Sequence, residues 1–435
     1  MAKTIRMILI LHISAAILLA SCTRQPAGET LAVEPTSSPT AAPTQQPTLI
    51  PTPTEVIIQG TIRIWHSWDE KELPALTQIV AGFSNLYPDV LFDVLYVPSQ
   101  DLQARYEAET REGNGPTLLF APGQWGPSLW QAGLVKDLSG SFSDPLLATL
   151  NQPALGGARY QNALIGLPYS IQGIVLYRNK DIVTLSPNTF DDLVTLAQTS
   201  TAGENVGAML ERSFYYSGGH LEGIGGQLMD AQGKPAFNNA KGLEWIELLR
   251  EFEKAGPTNY FTDQDLDYFK LGRIGWVIDG TWSLDDLAEA IGQDKLAIDP
   301  WPTYLDGRLS GYVTAENLYL NPQISGSELL AAQRFIEYFL SPDAQNRLAE
   351  VGRIPAASGA SLADPVRGPL LAQAMAALSG GTTYPVVPEM TLYNINMDIA
   401  LKSIFDEGVP PEEALETAEQ AILAGMAQGQ ATPTP

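Results

Sequence analysis

Apolar residues recur along this chain with two periods, and the switches between them outline the elements. Between Gly60 and Trp65 the residues Thr61, Ile62, Arg63 and Ile64 alternate with the two-residue period of a strand. Leu73, Leu76, Ile79, Val80, Phe83 and Leu86 then recur three or four apart, which predicts a helix. Val90 to Val97 reads as a second strand, Leu102 to Glu112 as a helix and Thr117 to Ala121 as a third strand. Strands alternating with helices predict a parallel or mixed sheet with covered faces, an α/β arrangement. Further on, Phe214 to Gly226 reads as an aromatic, Gly-rich loop feeding an amphipathic helix from Lys241 to Ala255, stopped by Gly256 and Pro257. Ser325 and Glu328 have capping-box spacing for a helix ending at Leu340, and Ser341-Pro342 predicts the cap and first turn of another, closed by Gly352. An acidic helix from Pro411 to Ala424 and a disordered tail over 426–435 complete the pattern.

The first 58 residues obey neither period. Lys3 and Arg6, the apolar run Met7 to Ala20 and the small residues before Cys22 have the order of a secretory signal. That run is too short for the roughly 20 residues a membrane-spanning helix needs, so 1–21 is expected to be removed. Leu19 to Cys22 resembles the lipobox, which implies a lipid anchor on Cys22. Cys22 is the only cysteine, which excludes an internal disulfide and any thiol cluster. Residues 22–58, with prolines at 26, 35, 39, 43, 47, 51 and 53 and no aromatic residue after Cys22, read as a disordered tether.

The remaining length predicts two lobes, and 45% hydrophobic residues supply their cores. The chain carries a formal charge of −24, and loss of Lys3 and Arg6 with the leader makes it more negative still, which argues against nucleic acid as a partner.

Five segments, taken in order, resemble the family 1 extracellular solute-binding proteins, the sugar-capturing components of ATP-driven importers that include maltose-binding protein. They are Thr61 to Asp69, Gly115 to Leu134, Leu164 to Asp181, Phe269 to Trp282, and Phe335 to Ala356. The resemblance implies a two-lobed periplasmic-binding-protein-like fold of type II, each lobe a mixed sheet flanked by helices, with hinge crossings between them. Lobe one would comprise 59–170 and 312–352, and lobe two 171–311 and 353–425. It further implies a monomeric extracytoplasmic receptor, lipid-anchored to the outer face of the membrane or in a periplasm, that closes on a sugar or oligosaccharide and delivers it to an ABC permease.

A sugar presents flat C–H patches to aromatic rings and a rim of hydroxyls to carboxylates, amides and Arg. The ring candidates are Trp282, whose Gly280-Thr281-Trp282 segment resembles the family's stacking position, then Trp68 and Trp125 in loops, and Tyr384 at a cleft edge, with Tyr393 weaker. The polar candidates are Asp69, Gln124, Gln172, Glu211, Asp279, Asn317, Arg353 and Asn394. Ala121, Gln124-Trp125 and Gln172 depart from the maltodextrin binders, which carry an aromatic residue, an Asp-Arg pair and a carboxylate at these places. A sugar other than maltose is therefore expected.

An enzyme is the first competing class. After the leader only His66 and His220 remain, without HExxH, GxSxG with a following His, or a Walker loop, so no catalytic residue, cofactor or metal site is expected. A surface lipoprotein that binds a polymer or protein without transport, and a receptor for glycerophosphodiesters, stay open as alternatives.

Overall fold

The computed structural model describes residues 57–259, 262–365 and 367–431. The expected leader, Cys22 and the tether as far as residue 56 lie outside the described residues.

The strands follow the alternating pattern: β1 (Gly60–His66), β2 (Val90–Tyr96), β3 (Leu118–Pro122), β4 (Leu167–Asn179), β5 (Val206–Glu211), β6 (Ile274–Gly280), β7 (Leu296–Asp299) and β8 (Tyr312–Leu320). The longer helices are α1 (Leu73–Leu86), α2 (Ser99–Arg111), α3 (Phe190–Ser200), α4 (Phe214–Gly223), α5 (Ala240–Ala255), α6 (Gly326–Phe339), α7 (Pro342–Glu350), α8 (Arg367–Ser379), α9 (Met390–Phe405) and α10 (Pro411–Ala431). Along one mixed sheet the order is β2-β1-β3-β8-β4-β6-β5.

β1 pairs in parallel with β2 and β3, whereas β8 is antiparallel to both β3 and β4. β4 is the pivot. Its first residues meet β8 (Leu167 opposite Leu318), and its later ones meet β6 (Arg178 opposite Trp276) and β7 (Asn179 opposite Leu296). A third crossing is made by Ile354–Pro355 against Ile171 and Ser170. Every residue of β4 except Gln172 is buried, as expected of a central strand covered on both faces.

Separate apolar clusters lie on the two sides of this pivot. One gathers Ile62, Phe83, Phe120, Phe335 and Phe339, and the other Phe190, Trp245, Phe252, Ile404 and Leu415. A third, with Ile171, Val175, Ile354, Leu371 and Ala374, lies under the crossings. The molecule is two-lobed.

Three expectations are corrected. Phe214 to Gly226 is not a loop, because α4 occupies most of it. Its glycines let the helix press on the chain before β8: a Cβ on Gly219 would lie 2.7 Å from the Ser310 carbonyl oxygen, and one on Gly223 would lie 2.2 Å from that of Arg308. The capping box at α6 does not form. Ser325 makes no side-chain cap, and Glu328 instead accepts a 2.6 Å hydrogen bond from Thr117 Oγ1 beside β3. Finally, α10 continues to Ala431, past Ala424 and into the segment read as a tail. The Ala- and Gln-rich sequence favours helix there, and interior Gly425 costs only about 1 kcal/mol.

Candidate functional site

The carboxyl ends of β5 and β6 lie side by side in lobe two and present Glu211 and Asp279. The chain leaves β5 through Ser213, whose amide donates to Glu211 Oε1 at 2.7 Å, and enters α4 with Tyr215 and Tyr216 in its first turn. Asp398 on α9 fixes this corner by accepting from the Phe214 amide at 2.7 Å. Glu211, Tyr215, Tyr216, Asp265, Asp279 and Asp398 line a cavity of about 300 Å³.

The cavity wall is acidic, and Glu211, Asp265 and Asp279 are buried in it. Asp279 is 2% exposed, and its Oδ2 has no hydrogen-bond partner among the described residues. Burial pushes its carboxyl above the usual range, partly offset by the Ser283 and Tyr216 side chains and the Gly280 amide. Burial likewise raises Asp398, and it carries Asp265 up to about 7, with Asp279 and Asp263 adding repulsion.

An aromatic run leads out of this cavity. Trp282 is 46% exposed, and its ring folds over Gly280 so closely that a Cβ there would lie 2.0 Å from it. Its centroid is 6.2 Å from that of Tyr215, which in turn is 5.6 Å from Tyr384. Tyr384 accepts a 2.8 Å hydrogen bond from Asn394 Nδ2 and, with Gln124 and Thr314, lines a smaller cavity at the crossing strands. Gln172, exposed in the middle of β4, is the register partner of Thr314. The structure thus brings Gln124, Gln172, Glu211, Asp279, Trp282, Tyr384 and Asn394 onto one surface running from the crossings into lobe two.

The other candidates fall elsewhere. Trp68 is 3% exposed, donates from Nε1 to the Tyr169 hydroxyl at 2.9 Å, and is covered by the Arg353 guanidinium at 4.3 Å from its ring. Arg353 also pairs with Glu72 at 2.8 Å. Neither ring face nor guanidinium is free in this conformation. Asp69 caps the turn into α1, with Oδ1 accepting from the Lys71 and Glu72 amides at 2.8 and 3.1 Å. Asn317 is wholly buried in β8 and donates to the Tyr319 hydroxyl at 3.2 Å. Trp125 is half-buried beside Gln124 and packs on a lobe-one cluster, and Tyr393 is buried in the core of lobe two.

Tyr215, Tyr216, Asp265 and Asp398 were not anticipated. The two tyrosines were hidden by the loop reading of their segment. Asp398 stands four residues after Asn394 on a helix, a spacing that places both on one face and would have found it. For Asp265 the sequence carries no signal. Among the described residues no group of three His, Cys, Asp or Glu side chains is placed to hold a metal ion, and no helix is long and apolar enough to cross a membrane.

A family model described as bacterial extracellular solute-binding protein matches residues 78–373. The maltotriose-binding protein of Pyrococcus abyssi is 25% identical over 311 residues, 69% of this chain and 67% of that one. A protein of Streptococcus pneumoniae named maltooligosaccharide ABC transporter solute-binding lipoprotein is 27% identical over 57% of this chain and 61% of its own length. Among solved structures, a cyclo/maltodextrin-binding protein complexed with maltotetraose superposes with a TM-score of 0.74 at 20% identity, covering 84% of this chain and 97% of that one.

Proposed function

Because the chain belongs to the bacterial extracellular solute-binding proteins, we propose that it is a membrane-tethered receptor which captures a sugar or oligosaccharide between its lobes and delivers it to an ABC permease. One observation carries the reading. The surface from Gln124 through Tyr384 and Tyr215 to Trp282 sets aromatic rings beside amides and carboxylates across the crossing strands, the combination a pyranose needs. The names of the relatives, which bind maltotriose and maltooligosaccharides, support the ligand class.

Within this reading Trp282 and Tyr215 stack on sugar faces, and Gln124, Gln172, Glu211, Asp279 and Asn394 meet hydroxyls. Trp68, Asp69 and Arg353 join them only if lobe one rearranges around ligand. We assign 59–170 with 312–352 to lobe one and 171–311 with 353–425 to lobe two, a division supported by the apolar clusters on either side of β4. A lipid on Cys22 would hold the receptor at the membrane, in keeping with the lipoprotein name of the pneumococcal relative. The glycerophosphodiester alternative is disfavoured by a cavity lined with carboxylates, which repel phosphate.

The test is a thermal-shift screen of the mature chain against mono-, di- and oligosaccharides and glycerophosphodiesters. A ligand at 100 times its Kd stabilises the fold by about 2.7 kcal/mol, a clear rise in Tm. Absence of a shift with every sugar, in a folded protein, would reject the reading. Retention of a Cys22→Ser variant on membranes would reject the anchor.

A further inference from the structure

We propose that Arg353 is a positioning residue of the receptor: it clasps the loop after β1 to the crossing strands, so that a bend at the crossings carries Asp69 to or from the sugar. The inference rests on the receptor reading above and names the side chain through which lobe one takes part in it.

Arg353 directly precedes Ile354–Pro355, the third crossing, and its side chain is only 13% exposed. The guanidinium lies 4.3 Å from the Trp68 ring and 5.6 Å from the ring of Tyr169, which belongs to the crossing strand β4. Its charge also reaches Glu316 on β8, where it offsets part of the rise that burial imposes on that carboxyl. The Tyr169 hydroxyl joins these parts, accepting from Trp68 Nε1 at 2.9 Å and lying 3.5 Å from Glu316 Oε2. One cation thus bears on the loop and on all three strands that link the lobes.

From the clasp a chain of bonds leads to Asp69. Glu72 pairs with Arg353 through Oε1 at 2.8 Å, and its Oε2 accepts from the Asp69 amide at 3.0 Å. Asp69 answers through Oδ1, which takes the Lys71 and Glu72 amides, so Oδ2 of this exposed side chain has no donor among the described residues. At the other end of the loop the Trp68 amide donates to His66 Nδ1 at 3.1 Å, which ties it to the end of β1. The loop is therefore held at both ends, and the movement that brings Asp69 to a hydroxyl starts where Arg353 is rooted, at the crossings. A lysine could supply the charge at this position, but not the planar face that lies on Trp68.

Titration calorimetry on the full mature chain with glucose, maltotriose, galactotriose and xylotriose tests this. Glu72→Gln and Arg353→Lys are each expected to weaken the best-bound of these by about tenfold, as is Asp69→Asn, which keeps the amide acceptor of the turn. The double variant Asp69→Asn with Arg353→Lys is expected to bind little worse than Asp69→Asn alone, because both changes act on one contact. A merely structural Arg353 gives a lower Tm with affinity intact, or losses that multiply in the double variant. Either result overturns the inference and leaves the receptor reading in place. Should Arg353→Lys fail to fold, the same comparison made with Glu72→Gln, whose side chain is 22% exposed, decides. Failure of the wild type to bind any of the four sugars overturns both.

Discussion

Trp282 and His220 show how one side chain is set by its surroundings. The Trp282 ring is half-exposed and rests on Gly280, so its removal takes little from the core and much from the cleft. We expect Trp282→Ala to weaken sugar binding by about 2 kcal/mol, roughly thirtyfold, while leaving Tm nearly unchanged. Titration calorimetry with thermal melting separates the two, and undiminished affinity would move the cleft elsewhere. His220 is completely buried, with Nδ1 2.6 Å from the Ser310 carbonyl oxygen and Nε2 without a partner among the described residues. Burial drives its pKa down to about 4, whereas in the unfolded chain it protonates near 6.5. The unfolded state therefore takes up the proton first, and stability falls as pH drops from 6.5 towards 4, by about 3 kcal/mol at the lower end. His66, also buried, adds a loss of the same sign. Urea unfolding at pH 7.5, 5.5 and 4.5 should show the decline, and a His220→Asn variant that folds should show a shallower one.

The glycines of α4 make it an element whose place depends on what it lacks. Gly219→Ala would push a methyl to 2.7 Å from the Ser310 carbonyl oxygen and 2.9 Å from the Gly311 carbonyl carbon, backbone atoms that cannot rotate aside. The expected cost is about 1–3 kcal/mol, read as a lower urea midpoint, together with weakened ligand binding because Tyr215 moves with the helix. Unchanged unfolding would show that α4 and the chain before β8 have room. This element also marks where sequence reading stops. Periodic apolar residues located α1 at its observed ends and α5 to within one residue, and the Ser341 cap and Gly256 stop were legible because they act on their own neighbours. In α4 the glycines obscured a helix whose reason lies in a distant segment. The Ser325 box failed for the same cause, since Glu328 had a partner on Thr117. At the site, Glu211, Asp279 and Trp282 are candidates from loops and from the resemblance to the family, and Asp398 stands one turn beyond Asn394, while Asp265 reaches the cavity through packing that no local pattern encodes.

In the whole molecule, β4, β8 and Ile354–Pro355 are shared by both sides of the cleft, so relative motion of the lobes is confined to twisting and bending at three strands. A closing ligand should reduce the radius of gyration measured by small-angle X-ray scattering without loss of strand signal in circular dichroism. A ligand that binds with no change in radius would indicate a receptor already closed. The same sharing governs when the molecule can fold. Tyr319 on β8 reaches back 196 residues to Gly123, and Asp398 reaches back 184 to Phe214, so each half waits for chain made long after its own beginning. A polypeptide threaded across a membrane from its first residue would stay unfolded until most of its length had emerged, with β3 lacking its β8 neighbour throughout. Such long-range closure slows assembly. In an exported chain, the continuity of three shared strands would thus keep the polypeptide pliable during passage and delay its first moment as a receptor until the last third had arrived.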